Sequence, residues 1–96
     1  MATGGRRYQR VLWHHDLAQE PVVLYGEIDS GYEIRKVEIY RDGRHHYADT
    51  SRSTGTTMLG EILMPAVDEI IQEPEFSGTA ITASEFEQVW RRATRP

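Results

Sequence analysis

Cysteine is absent from the 96-residue chain, which excludes a disulfide framework and any thiolate metal site. Long apolar runs are missing too. No stretch approaches the eighteen or so residues of a membrane span, and residues 1–10 lack the apolar centre of a secretory leader. A cytoplasmic protein with no membrane association is expected. Basic excess is also lacking, with 15 acidic against 11 basic residues and a formal net charge of −4. Proteins that grip phosphate backbones carry a basic excess or stripe. Here the bases fall in small separate groups, Arg6-Arg7, Arg35-Lys36 and Arg91-Arg92. Aromatic residues make up only 9%, and one modest core should absorb most of them.

What is present describes an ordinary folded domain: 39% hydrophobic and 27% charged residues, at a length that suits one core and not two. Residues 1–7 read as a loose tail, and residues 8–94 as the single domain. Tyr8 to His14 is rich in β-formers. Val22 to Ile28 alternates, with Val22, Leu24 and Ile28 on one face and Val23, Tyr25 and Glu27 on the other. After a short turn at Asp29-Ser30-Gly31, Tyr32 to Arg41 forms a third strand whose alternation slips. A β-bulge at Arg35 or Lys36 would bring Tyr32, Ile34, Val37 and Ile39 to one face, leaving Glu33, Glu38 and Tyr40 on the other. Asp42-Gly43 predicts a tight two-residue turn into a fourth strand, Arg44 to Ala48, pairing Tyr40 with His45 and Glu38 with Tyr47.

Asp49 to Thr57 is polar, without an apolar anchor, and reads as a mobile connection. Pro65 suits the first turn of a helix, with Val67, Ile70 and Ile71 as its buried stripe and Pro74 as its stop. Thr82 and Glu85 have capping-box spacing, and Phe86, Val89, Trp90 and Ala93 fall on one helical face. The expected fold is therefore α+β. It is a single domain with an antiparallel sheet of about four strands and two helices from the C-terminal half packed on one face.

Candidate chemistry is sparse. The histidines come as neighbours, His14-His15 and His45-His46, and neighbours on a strand point to opposite faces, so no metal site is expected. The serines sit in turns, a loop and a helix start, none of them in a nucleophile elbow. No cofactor motif occurs. The most informative surface follows from the hairpin register, which collects Tyr25, Glu27, Glu33, Glu38, Tyr40, His45 and Tyr47 on one polar face. Tyrosine supplies contact area with a polar handle, as recognition surfaces need.

The segments Trp13-His14-His15-Asp16, Glu20-Pro21-Val22-Val23-Leu24-Tyr25, Tyr32-Glu33-Ile34-Arg35-Lys36-Val37-Glu38, Arg41-Asp42-Gly43 and Tyr47-Ala48 together resemble a small, uncharacterised bacterial domain family of unknown function. Leu59-Gly60-Glu61, Pro74-Glu75-Phe76 and Glu85-Phe86-Glu87 fit the same pattern. The resemblance brings no activity or catalytic residue. It does add Arg35 and Lys36 to the candidate binding residues, and its size and acidity are similar to immunity-type and accessory proteins.

Three functions follow as expectations. The first is a small non-enzymatic binding or accessory protein, with an immunity-type protein as its most concrete version, that recognises another protein through the Tyr/Glu/His face. The second is a small enzyme or enzyme subunit using Glu38 with His45 or His15 as acid and base. The third, nucleic-acid binding through Arg35, Lys36, Arg41 and Arg44, is disfavoured by the neighbouring Glu33 and Glu38. An exposed edge strand leaves a homodimer open.

Overall fold

In a computed structural model, residues 5–95 are described. Five strands and two helices follow in the order β1 (Arg6–Trp13), β2 (Val23–Asp29), β3 (Tyr32–Ile39), β4 (His45–Asp49), α1 (Val67–Ile70), β5 (Phe76–Ile81) and α2 (Ala83–Thr94). All strand pairs are antiparallel, in the sheet order β4-β3-β2-β1-β5. The α+β class, the single domain and the antiparallel sheet agree with the sequence reading, with one strand more than expected. The first four residues of the expected tail lie outside the described residues, whereas Arg6 and Arg7 already belong to β1.

The two hairpin turns exchange roles relative to expectation. Ser30-Gly31 is the tight two-residue turn, with both residues at positive φ (53° and 91°) and Asp29 opposite Tyr32. That geometry matches the right-handed twist of the strands. The β3–β4 connection is longer. Arg41, Asp42 and Gly43 form a three-residue loop in which Gly43 (φ 93°) donates to Tyr40 O and Tyr40 N–H donates to Arg44 O, each at 2.9 Å. One extra loop residue moves the register by one, so Ile39 pairs with His45, Glu38 with His46 and Val37 with Tyr47. A slip of one residue exchanges the two faces of β4. A bulge in β3 does occur, but earlier than expected: Glu27 pairs with Arg35 while Ile28 pairs with Glu33, so Ile34, not Arg35 or Lys36, is the extra residue.

Both sheet faces are covered. Helix α2 starts at the expected capping box, with Thr82 Oγ1 accepting from Glu85 N–H and the Glu85 carboxylate accepting from Thr82 N–H. Its Phe86 and Trp90 pack on Val37, with Tyr8, Tyr25, Ile39, Tyr47 and Ile81 around them. Burying each large ring contributes about 1.5–3 kcal/mol. The other face carries Val11, Ile28 and Gly78, and α1 lies over it. A Cβ on Gly78 would meet Val67 Cγ2 at 3.2 Å and Arg10 O at 2.8 Å. The helices therefore occupy opposite faces of the sheet instead of sharing one. Helix α1 is a single turn with no fully buried residue, and Ile71 is exposed.

The polar loop after β4 is not a loose connection. Asp49 accepts from the backbone N–H of Ser51 and Arg52, both at 2.9 Å, and Thr54 N–H donates to Tyr47 O. A bridge between Ala48 and Ser53 completes a flap along the outer edge of β4.

Candidate binding cleft

Thr57 to Pro65 crosses the face opposite α2 as an irregular strap, and polar side chains of β3 hold it there. Thr57, 2% exposed, donates its hydroxyl to Glu38 Oε1 at 2.6 Å. Lys36 Nζ donates to Met58 O at 3.0 Å, and Gly60 N–H donates to Glu33 Oε1 at 2.7 Å. Met64 N–H donates to Gly31 O at 2.7 Å, and Arg7 reaches the carbonyls of Met64 and Pro65. Lys36 Nζ also stands 3.5 Å from Glu33 and 3.8 Å from Glu38. Bonds of this kind to charged groups are each worth about 1.5–3 kcal/mol, enough to fix a segment that has little secondary structure of its own.

Between sheet, strap and α1 lies a cleft of about 690 Å³, within the usual range for ligand sites. Its apolar wall is made by Val11, Leu24, Phe76, Ile70, Met64 and Pro65. Gly26 forms the floor, where the missing side chain keeps the sheet open. Gln9, Glu33, Lys36 and Glu38 supply the polar side, with Glu69 and Glu73 along the α1 wall.

The nine residues singled out by sequence are not one surface. Glu33, Lys36 and Glu38 meet at the cleft. Tyr25, Glu27, Arg35, His45 and Tyr47 belong to the α2 face, in register with Val37 and Ile39. Tyr47 stacks edge-on against Trp90 at 5.4 Å, and Tyr25 packs on the Val37–Phe86–Trp90 core. Tyr40 is 7% exposed, between the His46 ring and the Arg44 guanidinium. The acid–base pair of the enzyme reading is not assembled. Glu38 and His45 lie on opposite faces, and His45 Nδ1 is 2.9 Å from Gly43 O. His15 is held in its loop, Nε2 donating to Pro21 O and Nδ1 accepting from Leu17 N–H.

On the α2 side, Glu27 and Arg35 centre a buried ionic network. Glu27 also takes the Tyr8 hydroxyl at 2.9 Å and Arg6 at 3.4 Å, while Arg35 forks onto Glu87. Burial works to raise the Glu27 carboxyl, yet hydrogen bonds from Arg35 and Tyr8, with the charges of Arg35 and Arg6, hold it below its ordinary value. The Arg35 hydrogen bond likewise lowers Glu87, and burial together with Glu27 raises the Tyr8 phenol. The other bases weighed for nucleic acid are also engaged, Arg41 with His15 O and Arg44 with Asp42.

Sequence reasoning did not find Gln9, Gly26, Glu69 or Glu73. Gly26 alone carried a signal, because a glycine inside a strand marks close approach or open space. Among the described residues, no helix is long and apolar enough to cross a membrane, and no three His, Asp or Glu side chains group as metal ligands.

The chain belongs to the family described as Domain of unknown function (DUF6881), which it matches over residues 7–95. No curated protein and no solved structure matches it significantly.

Proposed function

We propose that this DUF6881 chain is a small non-enzymatic binding protein that recognises another protein by receiving a segment of it in the cleft between sheet and strap. The observation that carries this reading is the cleft itself: about 690 Å³, an apolar wall, and a few converging polar groups on one side. The partner surface moves from the Tyr/Glu/His face to this site because the pairing of β2 and β4 with β3 divides the tyrosines and carboxylates between two faces. The rings on the α2 side are committed to packing. Exposed apolar side chains on the strap, Met58 (64%), Ile62 (79%) and Leu63 (61%), extend the apolar area beyond the cleft. An accessory role inside a bacterial cytoplasm is the setting we infer for such a module.

The test is capture from host lysate with tagged wild type beside two cleft variants, Gly26→Leu and Ile70→Arg, read by mass spectrometry. Support requires a protein retained by wild type and lost from both variants, while their melting temperatures stay within a few degrees of wild type. A partner retained equally by all three places recognition elsewhere and overturns the cleft reading.

A further inference from the structure

One corner of the cleft holds hydrogen-bond acceptors that the protein leaves without donors. Gln9 is 5% exposed, and its Oε1 has no hydrogen-bond partner among the described residues. Glu33 is 8% exposed; its Oε1 takes Gly60 N–H, while its Oε2 receives no hydrogen bond among the described residues. These two side chains flank Gly26. A Cβ there would lie 3.4 Å from Ile28 Cδ1 and 3.9 Å from both Gln9 Cγ and Glu33 Oε2, so the absent side chain leaves space beside the Gln9 stem and the Glu33 carboxylate. Buried acceptors are normally satisfied, and unsatisfied ones are costly.

Charge narrows the donor. Glu33, Glu38, Glu69 and Glu73 line the cleft against Lys36, with Arg7 tied to the Met64 and Pro65 carbonyls at its rim; the Lys36 ammonium is already fixed on Met58 O and beside Glu33 Oε1 and Glu38 Oε2. A carboxylate-bearing guest would meet repulsion here, and a neutral amide would leave the surplus negative charge unanswered. A cation on an aliphatic stem satisfies the acceptors and the charge while its stem lies on Val11 and Leu24.

Resting on the partner reading above, we propose that the segment received by the cleft presents a Lys or Arg side chain flanked by apolar residues. Its cationic head occupies the corner between Gln9 and Glu33 over Gly26. The flanking residues cover the apolar wall toward Phe76 and Ile70.

The experiment is a two-dimensional ¹⁵N NMR titration with three probes of equal chain length: hexylammonium, 1-hexanol and hexanoate. Hexylammonium should move the Gln9, Gly26 and Gly60 amides saturably, with a Kd at least about threefold below that of hexanol. Hexanoate should leave these amides in place. Glu33→Gln, checked for a native spectrum, should bring hexylammonium down to the affinity of hexanol, and Gly26→Leu should abolish both. Equal binding of hexanol and hexylammonium to wild type, or a preference that survives Glu33→Gln, overturns the cationic head and leaves an apolar partner site standing. Failure of all three probes to shift the cleft amides also overturns this inference, while lysate capture decides the partner reading separately.

Discussion

Arg35 lies with its guanidinium carbon 5.0 Å from the ring centroids of both Phe86 and Trp90, and the same side chain meets the buried Glu27 at 2.5 Å. A charge pair at the centre of a core this small is expensive to desolvate and useful only while complete. Arg35→Ala should therefore cost about 3 kcal/mol, since it leaves Glu27, at 1% exposure, with the Tyr8 hydroxyl and the more distant Arg6, and empties the space beside two rings. Urea unfolding followed by Trp fluorescence measures this. A loss under 1 kcal/mol would show that the network contributes little.

Acid should unfold the protein through the same network. A carboxylate whose folded pKa is depressed contributes stability above its unfolded value and loses it as pH falls through the folded one. Glu27 and Glu87 are both depressed, as is Asp49 in the separate flap after β4, so stability should be flat near neutrality and fall from about pH 4.5 downward. Double substitution Glu27→Gln and Glu87→Gln should flatten that slope while lowering stability at pH 7. An unchanged slope would assign acid sensitivity to other groups.

The strap should come loose before the fold does. Thr57→Val removes the hydroxyl that Glu38 accepts, and about 1–3 kcal/mol of local stability with it. Hydrogen exchange should then speed up at Gly60 and Met64, whose amides are tied to Glu33 and Gly31. Amides of α2 should keep their protection. Uniform acceleration across the sheet would mean that strap and sheet open as one unit.

Three glycines separate backbone strain from crowding. Gly43→Ala meets open space at φ 93°, so only its left-handed backbone opposes it, at about 1 kcal/mol. Gly31→Ala has the same backbone conflict (φ 91°) and would also set its Cβ 2.7 Å from Leu63 Cδ2, but that exposed side-chain end can turn away, so it should cost only slightly more than Gly43→Ala. Gly26→Ala has neither problem, its nearest contact being 3.4 Å, and should be neutral or slightly stabilising. The order of melting temperatures checks all three.

Legibility followed how local the signal was. Helix α2 could be read because its start and its buried stripe both lie within a dozen residues, as Thr82, Glu85, Phe86 and Trp90 show. The bulge in β3 was visible as a break in alternation. The β3–β4 register was not, because Asp42-Gly43 suits a two-residue turn and also the second and third positions of a three-residue loop. Only pairing with the neighbouring strand decides between them. Face assignment failed for a related reason: with α2 on one side and the strap on the other, Leu24 and Tyr25 are both covered, so alternation does not mark a solvent side. Strand β5 escaped notice because Ser77, Gly78, Thr79 and Ala80 are small and carry no apolar rhythm. The cleft depends on Gln9, Gly26, Glu33 and Glu73, residues from different parts of the chain that only the strap and the sheet bring together.

The flap over β4 also has a consequence for self-association. Linear polymers require monomers with two reactive ends, and a sheet has two such ends in its outer strands. Here the bridge between Ala48 and Ser53 and the hydrogen bond from Thr54 to Tyr47 occupy one of them, while β5 pairs, among the described residues, with β1 alone. As a unit of edge-to-edge assembly the domain therefore offers one open strand, β5, and two copies joined through it would turn their flap-covered β4 edges outward.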